Sequence, residues 1–143
     1  FPTLQMYTAN QDWSLVSPLL LHRQNKIVKN VQLREQLVWN FPTAADIEMI
    51  NATISGSGPS QRERYFSRVS YLSQLLQAVA LEAEAAHYRR ARDLELTKGE
   101  LAAGTMGIMA WMLNSDSSSV TWGAIDVTGR WKLSTRGASA WRA

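Results

Sequence analysis

The chain has 143 residues, 45% hydrophobic and 19% charged, the size and composition of one ordinary globular domain rather than a disordered segment. Its 15 Lys and Arg against 12 Asp and Glu leave a net charge of +3, too small and too scattered to specify a nucleic-acid partner. The chain has no cysteine, which excludes disulfides, thiol catalysis and Cys-ligated zinc, and its histidines, His22 and His87, stand too far apart to form a metal cluster.

No apolar run reaches the roughly 18 residues that suggest a membrane span. The opening Phe1-Pro2-Thr3 shows no Met, basic region or apolar region of a targeting signal, and it reads as the start of a processed or partial chain.

In chain order, Asp12-Trp13-Ser14 marks the cap of a short helix, and Pro18 followed by Leu19, Leu20 and Leu21 marks another. Residues 25–40 predict a helix from the spacing of Ile27, Val31, Leu33, Leu37 and Val38, and Pro42 ends it. Asp46 to Ile50 adds one turn. Residues 51–61, with two glycines, a proline and three serines, predict a solvated loop. Asn51-Ala52-Thr53 is a glycosylation sequon in that loop.

From Glu63 to Arg92 there is neither Gly nor Pro, and Phe66, Val69, Leu72, Leu76, Val79, Ala83 and Ala86 draw one helical stripe. A long helix is predicted there. Its basic end, His87 to Arg92, suits the negative pole of the helix dipole, with Arg89 and Arg90 capping the helix or pairing with neighbouring acids. Gly99 to Gly104 is a turn region. Thr105 to Leu113 is a continuous apolar run of strand length, the pattern of a strand buried on both faces. Asn114 to Ser119 predicts a polar loop, Val120 to Val127 a short strand, Thr128-Gly129-Arg130 a turn, and 131–143 a last helix.

This order describes part of an α/β layer structure. An apolar strand needs neighbours on both edges and helices on both faces, and the chain offers too few strands to supply them. Self-contained catalytic motifs are absent: no P-loop, no dinucleotide-binding glycine motif, no Gly-x-Ser-x-Gly and no His-Glu-x-x-His. Glu82 and Glu84, two positions apart on the long helix, face different directions and read as solvated charges.

Tyr71 to Ala78, Tyr88 to Arg92, Gly104 to Asn114, Trp122 to Asp126 and Gly129 to Lys132 recur in an order and spacing that strongly resemble the end of the catalytic domain of glycoside hydrolase family 2 β-mannosidases. Asp12-Trp13-Ser14, Ser17-Pro18 and His22-Arg23-Gln24 also resemble that family, so the likeness spans nearly the whole chain. It implies the C-terminal portion of a (β/α)8 barrel, a fold of about 250 residues that this chain is too short to close. Residues 1–50 are then loop and helices after the nucleophile strand, 62–92 a long barrel helix, and 105–132 the last strand and its following loop.

The activity implied is retaining hydrolysis of terminal β-linked mannose, which uses two carboxyl groups, a nucleophile and an acid/base. In the family both lie upstream of this stretch, so the chain alone is expected to be inactive and to need other polypeptide segments that complete the barrel. Trp111 matches the family's Trp at the end of strand eight, whose face packs against a pyranose, and Asn114 matches the Asn that follows it. His22 and Arg23 match a segment at the barrel mouth. Trp122, Asp126, Arg130 and Trp131 are read as locking the last elements onto the barrel. The resemblance implies no metal or organic cofactor, and with the Asn51 sequon it points to a lysosomal or secreted setting.

The chain also departs from the family pattern. Met112 stands at a Gln, Ser115 at an Asp, Ser117 at a Trp and Asn25 at a His, and Val28-Lys29-Asn30 replaces a Gly-Gly-Asn. These changes favour the alternative reading, a catalytically degenerate barrel kept as a structural or carbohydrate-binding component.

Overall fold

Four prolines punctuate the helices of this chain. Pro lacks an N–H and has a fixed φ, so it fits the first turn of a helix or the gap between two. The computed structural model describes residues 1–24, 29–55, 58–98, 105, 107–109, 111–116, 121 and 123–135. Within these, Pro2 opens α1 (Pro2–Tyr7), Pro18 opens α2 (Pro18–Gln24) and Pro59 opens α5 (Pro59–Lys98). Pro42 separates α3 (Lys29–Asn40) from α4 (Ala44–Ser55). A 3₁₀ turn at Asn10–Asp12 links α1 to α2, and another at Leu133–Thr135 closes the described chain.

Local hydrogen bonds explain where these elements begin. Thr43 caps α4: its Oγ1 accepts from the Asp46 N–H at 3.2 Å and donates to Asp46 Oδ2 at 2.6 Å. Asp12 Oδ2 accepts from the Ala9 N–H at 3.0 Å, folding the first 3₁₀ turn. The loop after it is tied to the end of α4, because Ser14 Oγ donates to the Thr53 carbonyl at 2.6 Å and the Leu15 N–H to the same oxygen at 3.2 Å.

The core lies where α2, α3, α4 and the first half of α5 meet. Trp13, Leu15, Leu20, Leu37, Met49, Ile50, Phe66, Val69 and Leu72 form one buried cluster. The ring of Phe1 meets Trp13 edge-on at 5.0 Å and Phe66 at 5.7 Å, bringing α1 onto α5.

Several expectations need correction. The predicted loop over 51–61 is shorter: α4 runs to Ser55 and α5 starts at Pro59. Asn51 is therefore helical, and its Oδ1 accepts from Arg34 Nη2 at 2.9 Å and Nε at 3.2 Å. Thr53, the third residue of the sequon, is buried and donates to the Ile50 carbonyl at 2.7 Å. The long helix spans 40 residues, about 60 Å, so Arg89 and Arg90 lie inside it rather than at its end.

The α/β expectation also changes, since the described residues carry α-helices, 3₁₀ turns and isolated bridges but no strand. Residues 105, 107–109 and 111–113 belong to no helix or strand. A lone extended run cannot pair its own backbone groups, and a strand forms only where a neighbour supplies partners. Here the neighbour is brief: Asn114 bridges Ile125 in parallel and Ile125 bridges Trp131 in antiparallel. Among the described residues, the second predicted strand thus shrinks to one bridged residue, Ile125. Of the predicted last helix, the described part is the bridged Trp131, Lys132 and the 3₁₀ turn at Leu133–Thr135, and residues 136–143 lie outside the described residues. Among the described residues, no helix is long and apolar enough to cross a membrane.

Candidate functional site

The second half of α5 carries two faces. Gln77, Leu81, Glu84 and Tyr88 recur at helical spacing on one of them and look across to the apolar run at 105–113. Between the two lies a cavity of about 710 Å³, lined also by Ala124, Trp131, Ser134 and Thr135. Its far wall is Thr105, Gly107, Ile108, Met109, Trp111, Met112 and Leu113.

That wall is held by a small bridged framework. The N–H groups of Ala124 and Ile125 donate to the Met112 and Leu113 carbonyls at 3.0 and 2.8 Å, and Ser115 N–H donates to the Ile125 carbonyl at 2.8 Å. Gly123 makes this approach possible, for a Cβ there would stand 2.7 Å from the Ser115 nitrogen. Ser115 is buried and its hydroxyl is bonded to that of Thr121. Lys132 Nζ donates to the Thr121 carbonyl at 3.0 Å and to its hydroxyl at 3.1 Å. Burial pushes the Lys132 ammonium below its ordinary value, partly opposed by the Asp126 charge.

Asp126 organises the turn that follows. Its Oδ1 accepts from the Thr128 N–H at 2.9 Å, the Thr128 hydroxyl at 2.7 Å and the Arg130 N–H at 2.9 Å. Its Oδ2 accepts from the Thr3 hydroxyl, which joins α1 to this distant segment. Gly129 supplies the positive φ of 79° the turn requires. Desolvation pushes the carboxyl up, but the hydrogen bonds from Thr3, Thr128 and the Arg130 N–H outweigh it and hold its pKa at about 2. The sign follows from linkage. The folded value lies below the ordinary 3.8, so the contribution is complete above about pH 4 and is lost as pH falls toward 2. Asp126→Asn should remove this acid-dependent component of unfolding and lower stability at neutral pH by about 1–2 kcal/mol. Urea unfolding of both proteins between pH 2 and 7 measures it; parallel pH profiles would refute the role.

The sites expected from sequence are distributed unevenly. Trp111 lines the cavity and is 81% exposed, so its ring face is open to a ligand. Asn114 is exposed next to that wall, with its backbone bridged to Ile125. His22 is exposed on α2 and is not among the residues lining the cavity. Arg23 sits beside it on α2, and its side chain, like all of Trp122, lies outside the described residues.

Other cavity residues did not stand out as site residues. Trp131, expected to lock the fold, is 68% exposed and forms part of the cavity lining. Glu84 accepts from the Tyr88 hydroxyl at 2.8 Å, and this bond with the carboxylate charge raises the phenol above its ordinary value. The available signal was the spacing of four between them, which puts both on one helix face. Ser134 Oγ is buried at the cavity, with no hydrogen-bond partner among the described residues.

Aromatic faces beside a carboxylate, a phenol and hydroxyls can stack on the apolar face of a sugar and bond its hydroxyls. They do not form a catalytic pair of carboxylates. Among the described residues, no group of three or more His, Asp or Glu could hold a metal ion.

The chain is 31% identical over 135 residues to a β-mannosidase of the goat Capra hircus, covering 93% of this chain and 13% of that protein. Identity is also 31% to the β-mannosidases of cattle, Bos taurus, over 133 residues, and of the rat, Rattus norvegicus, over 135 residues. In both, 93% of this chain and 13% of the relative are covered. The chain thus spans about one-eighth of the length of these relatives. No family model matches it. No solved structure matches it.

Proposed function

Starting from a chain homologous along 93% of its length to one segment of β-mannosidases, we propose that it is the C-terminal part of the catalytic barrel of a retaining exo-β-mannosidase of glycoside hydrolase family 2. That similarity carries the reading. The described segment contributes a sugar-facing wall, not the reacting carboxylates. Trp111 stacks against the terminal mannose and Asn114 bonds a sugar hydroxyl, while His22 and Arg23 are assigned to the barrel mouth by the resemblance alone. The nucleophile and the acid/base come from polypeptide outside residues 1–143, and no cofactor takes part. A lysosomal or secreted location is part of the same proposal and rests on the resemblance, since the Asn51 sequon lies in a helix with Thr53 buried.

The substitutions at Met112 and Ser115 favour a second reading, a degenerate barrel that binds carbohydrate or serves structure alone. In place of a rim carboxylate the chain has Ser115, buried against Thr121.

A fluorosugar that traps the covalent intermediate of retaining enzymes separates the readings. The intact protein carrying this chain is treated with 2-deoxy-2-fluoro-β-mannosyl fluoride and its peptides are mapped by mass spectrometry. One labelled Glu outside residues 1–143 is the expected result. A label on Glu82 or Glu84, or none at all, contradicts the proposal.

A further inference from the structure

One sugar ring on Trp111 leaves room in the cavity. Its volume of about 710 Å³ falls in the upper part of the range of small-molecule sites. A second large aromatic, Trp131, lines it with 68% of its surface exposed. Three polar side chains of the same lining have bonding capacity to spare. Tyr88 donates its hydroxyl proton to Glu84 Oε1 at 2.8 Å, which leaves the phenol oxygen and Glu84 Oε2 as acceptors. Ser134, three residues from Trp131, is 7% exposed, and its Oγ has no partner among the described residues. A buried hydroxyl without a partner is destabilising, and a ligand hydroxyl in the cavity relieves it. The turn that carries Ser134 is tied to α5, because the Leu133 N–H donates to Gln74 Oε1 at 3.4 Å.

We propose that Glu84, Tyr88, Ser134 and Trp131 form the subsite for the sugar unit linked to the terminal mannose, so that the site selects oligosaccharides over mannosides with small aglycones. The acceptors on α5 call for a molecule that donates hydrogen bonds, and the open Trp131 face calls for an apolar C–H surface. A second pyranose meets both demands. An apolar aglycone would cover Trp131 but offer nothing to the Glu84 carboxylate or the Ser134 hydroxyl. The scissile mannose on Trp111 rests on the mannosidase reading, whereas the place of the second ring rests on the cavity.

Mannose release from β-1,4-mannobiose and from methyl β-D-mannoside, by the intact protein carrying this chain, tests the subsite. Both substrates expel an alkoxide, and only the first brings a second ring. kcat/KM should favour the disaccharide by at least about tenfold. Tyr88→Phe and Glu84→Ala lie outside the buried core cluster. Each should cut that preference by at least about threefold, chiefly through KM for the disaccharide, a split that a purely structural role would not produce. Equal kcat/KM for the two substrates, or a preference unchanged in both variants, would overturn the subsite and leave the mannosidase reading standing. Should folded protein release mannose from neither, the mannosidase reading fails and calorimetric binding decides the subsite. Mannobiose should then bind at least about fivefold more tightly than methyl β-D-mannoside, with the difference lost in the two variants. Equal affinities would overturn it.

Discussion

Replacing Phe66 by alanine should cost about 3–5 kcal/mol. Phe66 is 4% exposed, at the point where α5 meets the side chains of α3 and α4. Its ring is also the link to α1, through Phe1, whose own ring meets Trp13. Truncation therefore removes apolar area, leaves a cavity that rigid helices cannot fill, and breaks the aromatic chain holding the first helix. Chemical denaturation of the intact protein measures the loss. A change below about 1 kcal/mol would mean that the cluster collapses onto the gap or is not the core.

Trp111→Ala should behave in the opposite way. The side chain is 81% exposed, so its removal costs little stability, within about 0.5 kcal/mol. If its face carries the terminal mannose, kcat/KM for an aryl β-D-mannoside should fall on the order of 10–100-fold, about 1.4–2.7 kcal/mol of transition-state stabilisation. Trp111→Phe should recover part of it, since a smaller aromatic face still stacks. Loss of stability without loss of catalysis would make Trp111 a packing residue and remove it from the sugar site.

The long helix was legible because nothing between Glu63 and Arg92 interrupts it and its apolar residues keep one spacing. Its extra length was hidden for a simple reason: Pro59 reads as a breaker but serves as the first helical residue. The end of α4 was hidden by composition. Asn51 and Ser55 look like turn residues, yet Asn51 holds Arg34 across the α3–α4 contact and Ser55 Oγ donates to the Asn51 carbonyl at 3.1 Å.

The run from Thr105 to Leu113 marks the limit of reading pattern as structure. Its composition demands burial on both faces, but a strand is a property of a pair, and the described chain supplies only the short bridge to Ile125. Met109 and Leu113 remain 98% and 65% exposed as a consequence.

The cavity drew on one of the site residues singled out in the sequence. Trp111, singled out by resemblance, lines the cavity, whereas His22, on α2, is not among its lining residues. Glu84, Tyr88 and Trp131 went unnoticed as site residues because a helix glutamate and a turn tryptophan have common structural uses. Only the approach of distant segments gives them a shared cavity.

Hydrolysis of an aryl β-D-mannoside by the intact protein carrying this chain, with the β-glucoside and β-galactoside in parallel, is the most direct test. Release from the mannoside alone is the expected result, and it would mean that carboxylates outside the segment complete the site and that Met112 and Ser115 are tolerated there. No release from any of the three, by protein that remains folded, would contradict an enzymatic role and leave a glycosidase-like scaffold.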